Sequence, residues 1–228
     1  MKTIGLIGGM SWESTAHYYA VLNRETAARL GGLHSAPVIV HSVDFAPIEE
    51  MQRHGDWAAA GAELARIAQG LEKQGAGVIG LATNTMHICA DEIAAAISVP
   101  FLHIADPTAE ALLADGIGRA GLLGTRFTME KRFYIERLER AGLEVLVPDV
   151  GITNLNGIIY EELVKGIVRE DSRRTYVEAI GRLKARGAEA VILGCTEIGM
   201  LIDDSVSPIP TYDTTQLHAR ALVAAALA

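Results

Sequence analysis

Two residues able to move protons stand at matched places in a repeated sequence. Residues 75–85 (Gly-Ala-Gly-Val-Ile-Gly-Leu-Ala-Thr-Asn-Thr) lie without a gap over residues 187–197 (Gly-Ala-Glu-Ala-Val-Ile-Leu-Gly-Cys-Thr-Glu), so Thr83 falls on Cys195 at an offset of 112 residues. A thiol near neutral pH can serve as base or nucleophile. A hydroxyl can give up a proton or a hydrogen bond but accepts protons poorly without a neighbouring base. At the same offset Glu49-Glu50-Met51-Gln52-Arg53 lies over Glu161-Glu162-Leu163-Val164-Lys165, which pairs Arg53 with Lys165. Either cation alone reads most simply as a solvated surface charge; one per repeat, in register, is a pattern for gripping an anionic ligand. A carboxylate about 4 Å from one cation gains about 4 kcal/mol at an effective dielectric of 20, before desolvation is subtracted. Gln52, beside Arg53, is the alternative source of the first-half contact. Two such halves facing each other would enclose one site, flanked by Thr83 and Cys195.

These groups need elements to hold them. Each follows an apolar run suited to a buried strand, and the carboxyl end of a parallel strand is where α/β ligand sites lie. A helix opening at 196 would lower the thiol's pKa through its dipole, although a lone cysteine is more commonly a buried packing residue. Thr83 or Asn84 could instead cap a helix over 85–97. Asn84, Thr85 and Thr196 could offer backbone and side-chain donors to a carboxylate, as helix N-termini do for anions. Gly8-Gly9-Met10-Ser11-Trp12 follows the first strand and would line the crevice; its bland reading is a strand-to-helix turn that needs glycine. Cys89 reads as packing. His87 could orient the loop after Thr83, or could simply be a histidine bonded to backbone.

Strands are expected at 3–7, 37–43, 78–82, 100–102, 120–123, 144–147, 190–193 and 207–210. Helices are expected at 13–30, 57–74, 85–97, 107–114, 129–141, 156–168, 172–186, 196–202 and 214–227. Continuously apolar strands alternating with helices point to a doubly wound α/β fold with parallel sheets. Gly5-Leu6-Ile7-Gly8 resembles Gly121-Leu122-Leu123-Gly124, so each half starts with a glycine-ended strand. The fold class is therefore two pseudo-symmetric α/β halves with the active site in the crevice between them.

The 228 residues are half apolar and 21% charged, which suits a globular core, and the net charge of −8 argues against nucleic acid as a partner. No run reaches the roughly 20 apolar residues of a membrane span, and no signal peptide is expected. Two cysteines are too few for a disulfide framework, so a reducing cytoplasm is the expected setting. No His/Cys/acid spacing suits a metal, Gly5-Leu6-Ile7-Gly8-Gly9 is not a dinucleotide fingerprint, and there is no nucleophile elbow.

The motifs Gly8-Gly9-Met10-Ser11-Trp12-Glu13-Ser14-Thr15, Thr83-Asn84-Thr85-Met86-His87, Leu123-Gly124-Thr125 and Gly194-Cys195-Thr196-Glu197 together resemble the aspartate/glutamate racemase family over essentially the whole chain. The resemblance implies a first domain of 1–102 plus 212–228, with the C-terminal helix returning to it, and a second of 103–211. It implies chemistry without pyridoxal phosphate, any other cofactor or a metal, a small amino-acid substrate, and a homodimer. In the two-thiol members, opposed cysteines work on the two faces of an α-carbon. Here the first is Thr83, which places the chain nearest the L-aspartate/glutamate-specific branch. Cys195 would then remove the α-proton of the L-form, with Thr83 on the other face and a kinetic bias from L to D. Met10, Gln52, Arg53, Asn84, Thr85, Thr125, Lys165 and Thr196 are the expected substrate-binding residues. The rivals are a single-thiol relative, such as a homoserine racemase or an arylmalonate-type decarboxylase, and a binding module without catalysis.

Overall fold

The computed structural model describes all 228 residues and resolves into two compact units, Met1–Ile104 with His218–Ala228, and Ala105–Leu217. In the first unit β1 (Thr3–Gly8), β2 (Val38–Ser42), β3 (Ala76–Leu81) and β4 (Phe101–Leu102) form a parallel sheet in the order β2-β1-β3-β4. In the second, β5 (Arg119–Gly124), β6 (Glu144–Leu146), β7 (Ala190–Gly194) and β8 (Thr211–Asp213) form one in the order β6-β5-β7-β8, also parallel throughout. The same order occurs twice, so the sequence repeat is a repeat of topology. In each sheet the strand carrying a Thr or Cys just past its end, β3 or β7, pairs with the glycine-ended strand β1 or β5.

Both central strands are buried on both faces. Ile79 and Leu81 of β3 pack with Leu64, Ile67 and Leu71 of α3 (Trp57–Lys73); Val78 packs with Tyr18 and Leu22 of α1 (Trp12–Leu30) and with Leu222 and Val223 of the last helix. In the second unit Val191 and Leu193 of β7 pack against Tyr176, Ala179, Ile180 and Leu183 of α9 (Glu170–Ala185). Each Leu or Ile so buried stabilises by roughly 1.5–3 kcal/mol relative to an exposed one. Gly8 and Gly9 make the turn out of β1: a Cβ on Gly8 would lie 2.5 Å from Thr15 Cγ2, and one on Gly9, at φ 94°, would lie 2.3 Å from the Val43 carbonyl oxygen.

Several expectations need correction. The eighth strand is Thr211–Asp213, not 207–210, because Pro208 and Pro210 have no N–H to give a ladder. That strand pairs with β7, and the chain rejoins the first unit at His218, six residues later than the expected 212. A helix absent from the expectations, α2 (Phe45–His54), forms because Pro47 sits in its first turn, where an N–H has no partner to lose, and Asp44 caps it. The helix expected over 85–97 is a 3-10 turn, Thr85–Cys89, followed by the short α4 (Ala90–Ala95). That over 129–141 divides at extended Lys131 into α6 (Arg126–Glu130) and α7 (Arg132–Arg140). That over 156–168 is α8 (Ile152–Glu161) and a 3-10 turn, Leu163–Lys165, and that over 196–202 shrinks to a 3-10 turn, Ile198–Met200. The remaining helices are α5 (Ala105–Ala114) and α10 (Thr214–Leu227). No helix is long and apolar enough to cross a membrane.

Cys89 is a packing residue. It lies 1% exposed in the first core with Met86 and Ile93, and its Sγ donates to the Trp57 carbonyl at 3.5 Å. Burial, with the charge of Glu92 adding to it, pushes its pKa up to about 12 from 9.0. The unfolded chain therefore ionises this thiol first, and the stability it contributes is intact below pH 9 and declines as pH climbs towards 12, by up to about 1.4 kcal/mol per pH unit. Urea midpoints of wild type and Cys89→Ala, taken near pH 8 and again near pH 10.5, should converge at the higher pH; a constant gap between them would contradict this account.

Candidate active site

At the end of β7 the chain turns sharply. Gly124 and Gly194 let the ends of β5 and β7 touch: a Cβ on Gly124 would sit 2.7 Å from the Gly194 carbonyl oxygen. The Thr214 hydroxyl donates to the Leu193 carbonyl at 2.8 Å, holding the same corner. Cys195, Thr196 and Glu197 then follow at 7%, 5% and 2% exposure. The Cys195 Sγ–H donates to Glu197 Oε2 at 3.0 Å, and the Thr196 Oγ1–H donates to the same oxygen at 2.8 Å. Burial, then the charge of Glu197, then its hydrogen bond hold the Cys195 thiol well above the ordinary range; the Glu197 backbone N–H pulls weakly the other way. The expected depression by a helix dipole is thus overturned, since only a one-turn 3-10 helix follows and the nearest charge is negative. The same burial and charge that raise the Cys195 thiol's pKa place a carboxylate oxygen 3.0 Å from its sulfur.

Tyr176, from α9, approaches from the core side. Its hydroxyl donates to the Leu155 carbonyl at 3.0 Å, and burial together with Cys195 pushes its pKa far up. It packs the thiol and keeps its own proton. All seven histidines lie in the first unit, and the group bonded to the Cys195 thiol within its own unit is the Glu197 carboxylate.

The matched end of β3 is built otherwise. Thr83, Asn84 and Thr85 are 7%, 2% and 5% exposed. The Thr83 hydroxyl is hydrogen-bonded to neither carboxylate nor imidazole, and Asn84 at the cap position makes no side-chain cap bond, so neither is the expected helix cap. Instead His87 Nδ1 lies 2.7 Å from the Thr83 carbonyl oxygen, and His87 Nε2 accepts from the Ile104 N–H at 3.1 Å. Both readings of His87 hold: it is bonded to backbone, and by that bond it orients the strand end. The same bond explains the 3-10 turn. An α-helix would need the Thr83 carbonyl for the His87 amide, which bonds Asn84 O at 3.1 Å instead.

The other sequence-derived candidates fall at varied depths. Met10 is 4% exposed in the cluster with Ile48 and Met86, beside the turn that Thr15 ties down by accepting from the Gly9 N–H at 2.8 Å. Gln52 is 3% exposed with its amide 2.9 Å from Met86 Sδ, so of the two α2 candidates it is the one turned towards the Thr83 loop. Arg53 has a half-exposed side chain 3.8 Å from Glu50. Lys165 is exposed and joins no ion pair. Thr125 is spent locally, capping α6 by accepting from the Thr128 N–H at 3.3 Å. Thr196 spends its hydroxyl on Glu197, which leaves its backbone N–H as the group able to meet a substrate. An open groove of about 730 Å³ beside α8 is edged by Asp149, Glu161 and Glu162, a charge pattern that repels the anions expected here. No cluster of His, Cys, Asp or Glu has the arrangement of a metal site.

Glu197 is the residue that sequence reasoning missed. It stood inside a quoted motif with no role, and two features could have marked it: its place two residues past the thiol, and the absence of histidine from the second half.

A candidate Asp/Glu racemase from Yersinia pestis is 50% identical to this chain, superposes with a TM-score of 0.92, and the match covers all of both chains. An aspartate racemase homologue from Pyrococcus horikoshii OT3 is 35% identical with a TM-score of 0.85, again over all of both. The broad specificity amino-acid racemase RacX of Bacillus subtilis (strain 168) is 28% identical over 162 residues, 69% of this chain and 68% of that protein. The Asp/Glu/Hydantoin racemase family matches residues 7–222. That span runs from within β1 to within α10 and takes in both repeats with their strand-end Thr83 and Cys195, so the chain belongs to the Asp/Glu/Hydantoin racemase family.

Proposed function

We propose that the protein is a cofactor-independent racemase of acidic amino acids, aspartate or glutamate, kinetically biased from the L- to the D-form. The observation that carries this is the Cys195–Glu197 pair: a buried thiol hydrogen-bonded at 3.0 Å to a carboxylate, opposed in the repeat by a hydroxyl with no such partner. Glu197 Oε2 takes the Sγ proton as substrate binds, and the thiolate then takes the α-proton of the L-amino acid. The electron pair left on Cα spreads into the α-carboxylate, and the Thr83 hydroxyl gives its proton to the opposite face; as product leaves, water returns a proton to the Thr83 oxygen and takes the one held by Glu197, which restores the starting state. The α-proton is a very weak acid, so the carbanion must be met by donors already in position around the carboxylate. The backbone amides of Asn84, Thr85 and Thr196 are suited to that work, and exclusion of water strengthens them. The reverse direction needs Thr83 as a base, which a hydroxyl without a carboxylate or imidazole partner performs poorly. The equilibrium ratio stays at one; the bias lies in the rates.

Cys195→Ser should abolish α-deuterium exchange of the L-substrate, whereas Cys89→Ser should leave it largely intact. Glu197→Gln keeps the shape but accepts no proton, and should lower kcat by about 10²–10⁴-fold, the usual contribution of a general base, with a smaller change in KM. Proton NMR in D2O reads all three; equal losses from Cys195→Ser and Cys89→Ser would refute the assignment.

Thr83→Cys should create or greatly raise exchange of the D-enantiomer, because a thiol near neutral pH can both donate and accept. Wild type that exchanges D- and L-forms at equal initial rates would mean that another group serves the Thr83 face.

Lys165 is the stronger candidate for the acidic group of the substrate, being exposed and outside any ion pair, whereas Arg53 lies against Glu50. Lys165→Met should raise KM for acidic substrates more than for neutral ones, the pattern of lost charge recognition. Arg53→Met should do so less, and Gln52→Leu should disturb the Thr83 loop. Steady-state kinetics on aspartate, glutamate and homoserine separate these outcomes.

A further inference from the structure

Three histidines converge behind Thr83, all within the first unit. His87, His103 and His218 are 2%, 4% and 0% exposed. The rings of His87 and His103 lie 4.4 Å apart edge to face, and those of His87 and His218 lie 6.0 Å apart. Their hydrogen bonds fix two tautomers. The Ile104 amide can only donate, so His87 Nε2 carries the lone pair and Nδ1–H donates to the Thr83 carbonyl. The Leu102 carbonyl can only accept, so His218 Nε2 carries its hydrogen, and His218 Nδ1 accepts from the Tyr18 hydroxyl at 2.9 Å. The two rings are protonated on opposite nitrogens. Each is bonded at both ends, to segments that follow β3, lie in or follow β4, or belong to α1.

The arrangement joins the end of β3 to the end of β4 through one imidazole. Thr83 O and Ile104 N belong to loops that no strand pairing connects, since the β3–β4 register stops at Gly80 and Leu102. His87 bridges that gap, with the rings of His103 and His218 packed beside it. His218 backs it from α10, whose Leu222 packs so closely on Gly80 that an added Cβ there would lie 2.6 Å away.

We propose that His87 is the positioning residue of the first-half proton donor: its neutral ring, bridging the Thr83 carbonyl and the Ile104 N–H, sets the direction of the Thr83 hydroxyl. The proposal rests on the reading of Thr83 as that donor. Removing the bridge should therefore harm delivery of a proton to the Thr83 face and spare abstraction by Cys195, whereas a ring that only fills space would affect both together. The readout is a ratio measured in D2O: the rate at which D-enantiomer appears, divided by the rate of α-deuterium exchange retained in the L-enantiomer.

Thr83→Ala serves as the reference and should collapse this ratio. His87→Phe should lower it by about tenfold or more, since misplacing a reacting group by about 1 Å can cost 10²-fold. His87→Asn carries an amide nitrogen in the place of Nδ1 and should restore most of the ratio. His87→Gln reaches towards Ile104 and not Thr83, and should not. If Thr83→Ala leaves the ratio unchanged, the donor assignment fails and the positioning role of His87 falls with it. If Thr83→Ala collapses it while the His87 variants lower both rates in parallel, the positioning role is refuted. Should His87→Phe fail to fold, the Asn and Gln variants still decide, and equal ratios for the two would overturn the proposal.

Discussion

A thiol and a carboxylate removed from water together are the arrangement on which the second half depends. Burying Glu197 beside Cys195 is costly unless the carboxylate is satisfied, and Sγ–H and the Thr196 hydroxyl both donate to one of its oxygens. The corner that holds them uses two glycines in van der Waals approach and a threonine bonded to the strand's own carbonyl, and α9 closes the core side. The pair stores a protonated sulfur next to its acceptor. In the proposed mechanism, reactivity then depends on what enters the site.

Two copies of one topology carry this chemistry unequally. β3 and β7 occupy the same place in their sheets, yet one ends in a hydroxyl whose carbonyl is held by an imidazole and the other in a thiol bonded to a carboxylate. Parallel strands covered on both faces make the scaffold tolerant of such divergence. The residues just past a strand end project from the sheet, so their identity changes chemistry without changing the core. In the proposed mechanism, asymmetric proton transfer is thus a property of two loops of a few residues each.

The sheets were the most legible part of the sequence, because buried parallel strands write unbroken runs such as Val-Ile-Gly-Leu and Val-Ile-Leu-Gly. The repeat aligned Thr83 with Cys195 and both stand at strand ends. The failures were in tight turns. Periodicity cannot separate a 3-10 turn from an α-helix when a side chain, here His87, takes the carbonyl the helix would use. No helix is expected over 45–54, although Pro47 sits where a helix has no N–H to lose, and the strand expected over 207–210 includes two prolines that have no N–H to donate to a ladder. The offset pointed to Arg53, whereas a helix turns 100° per residue and brings neighbouring Gln52 inward. The thiol's environment differs for a related reason: the dipole argument needs the α-helix expected over 196–202, whereas a 3-10 turn forms there and the buried carboxylate two residues past Cys195 outweighs it.

The uneven placement of the histidines has a practical side. Trp12 and Trp57 share the first unit with every imidazole, while Cys195 and Glu197 lie in the second. Indole fluorescence and imidazole resonances therefore observe one half of the molecule, and the half with the thiol is dark to both. A ligand gripped by the first unit would act on those signals directly. The chain thus carries its own label for what its first half does with a ligand.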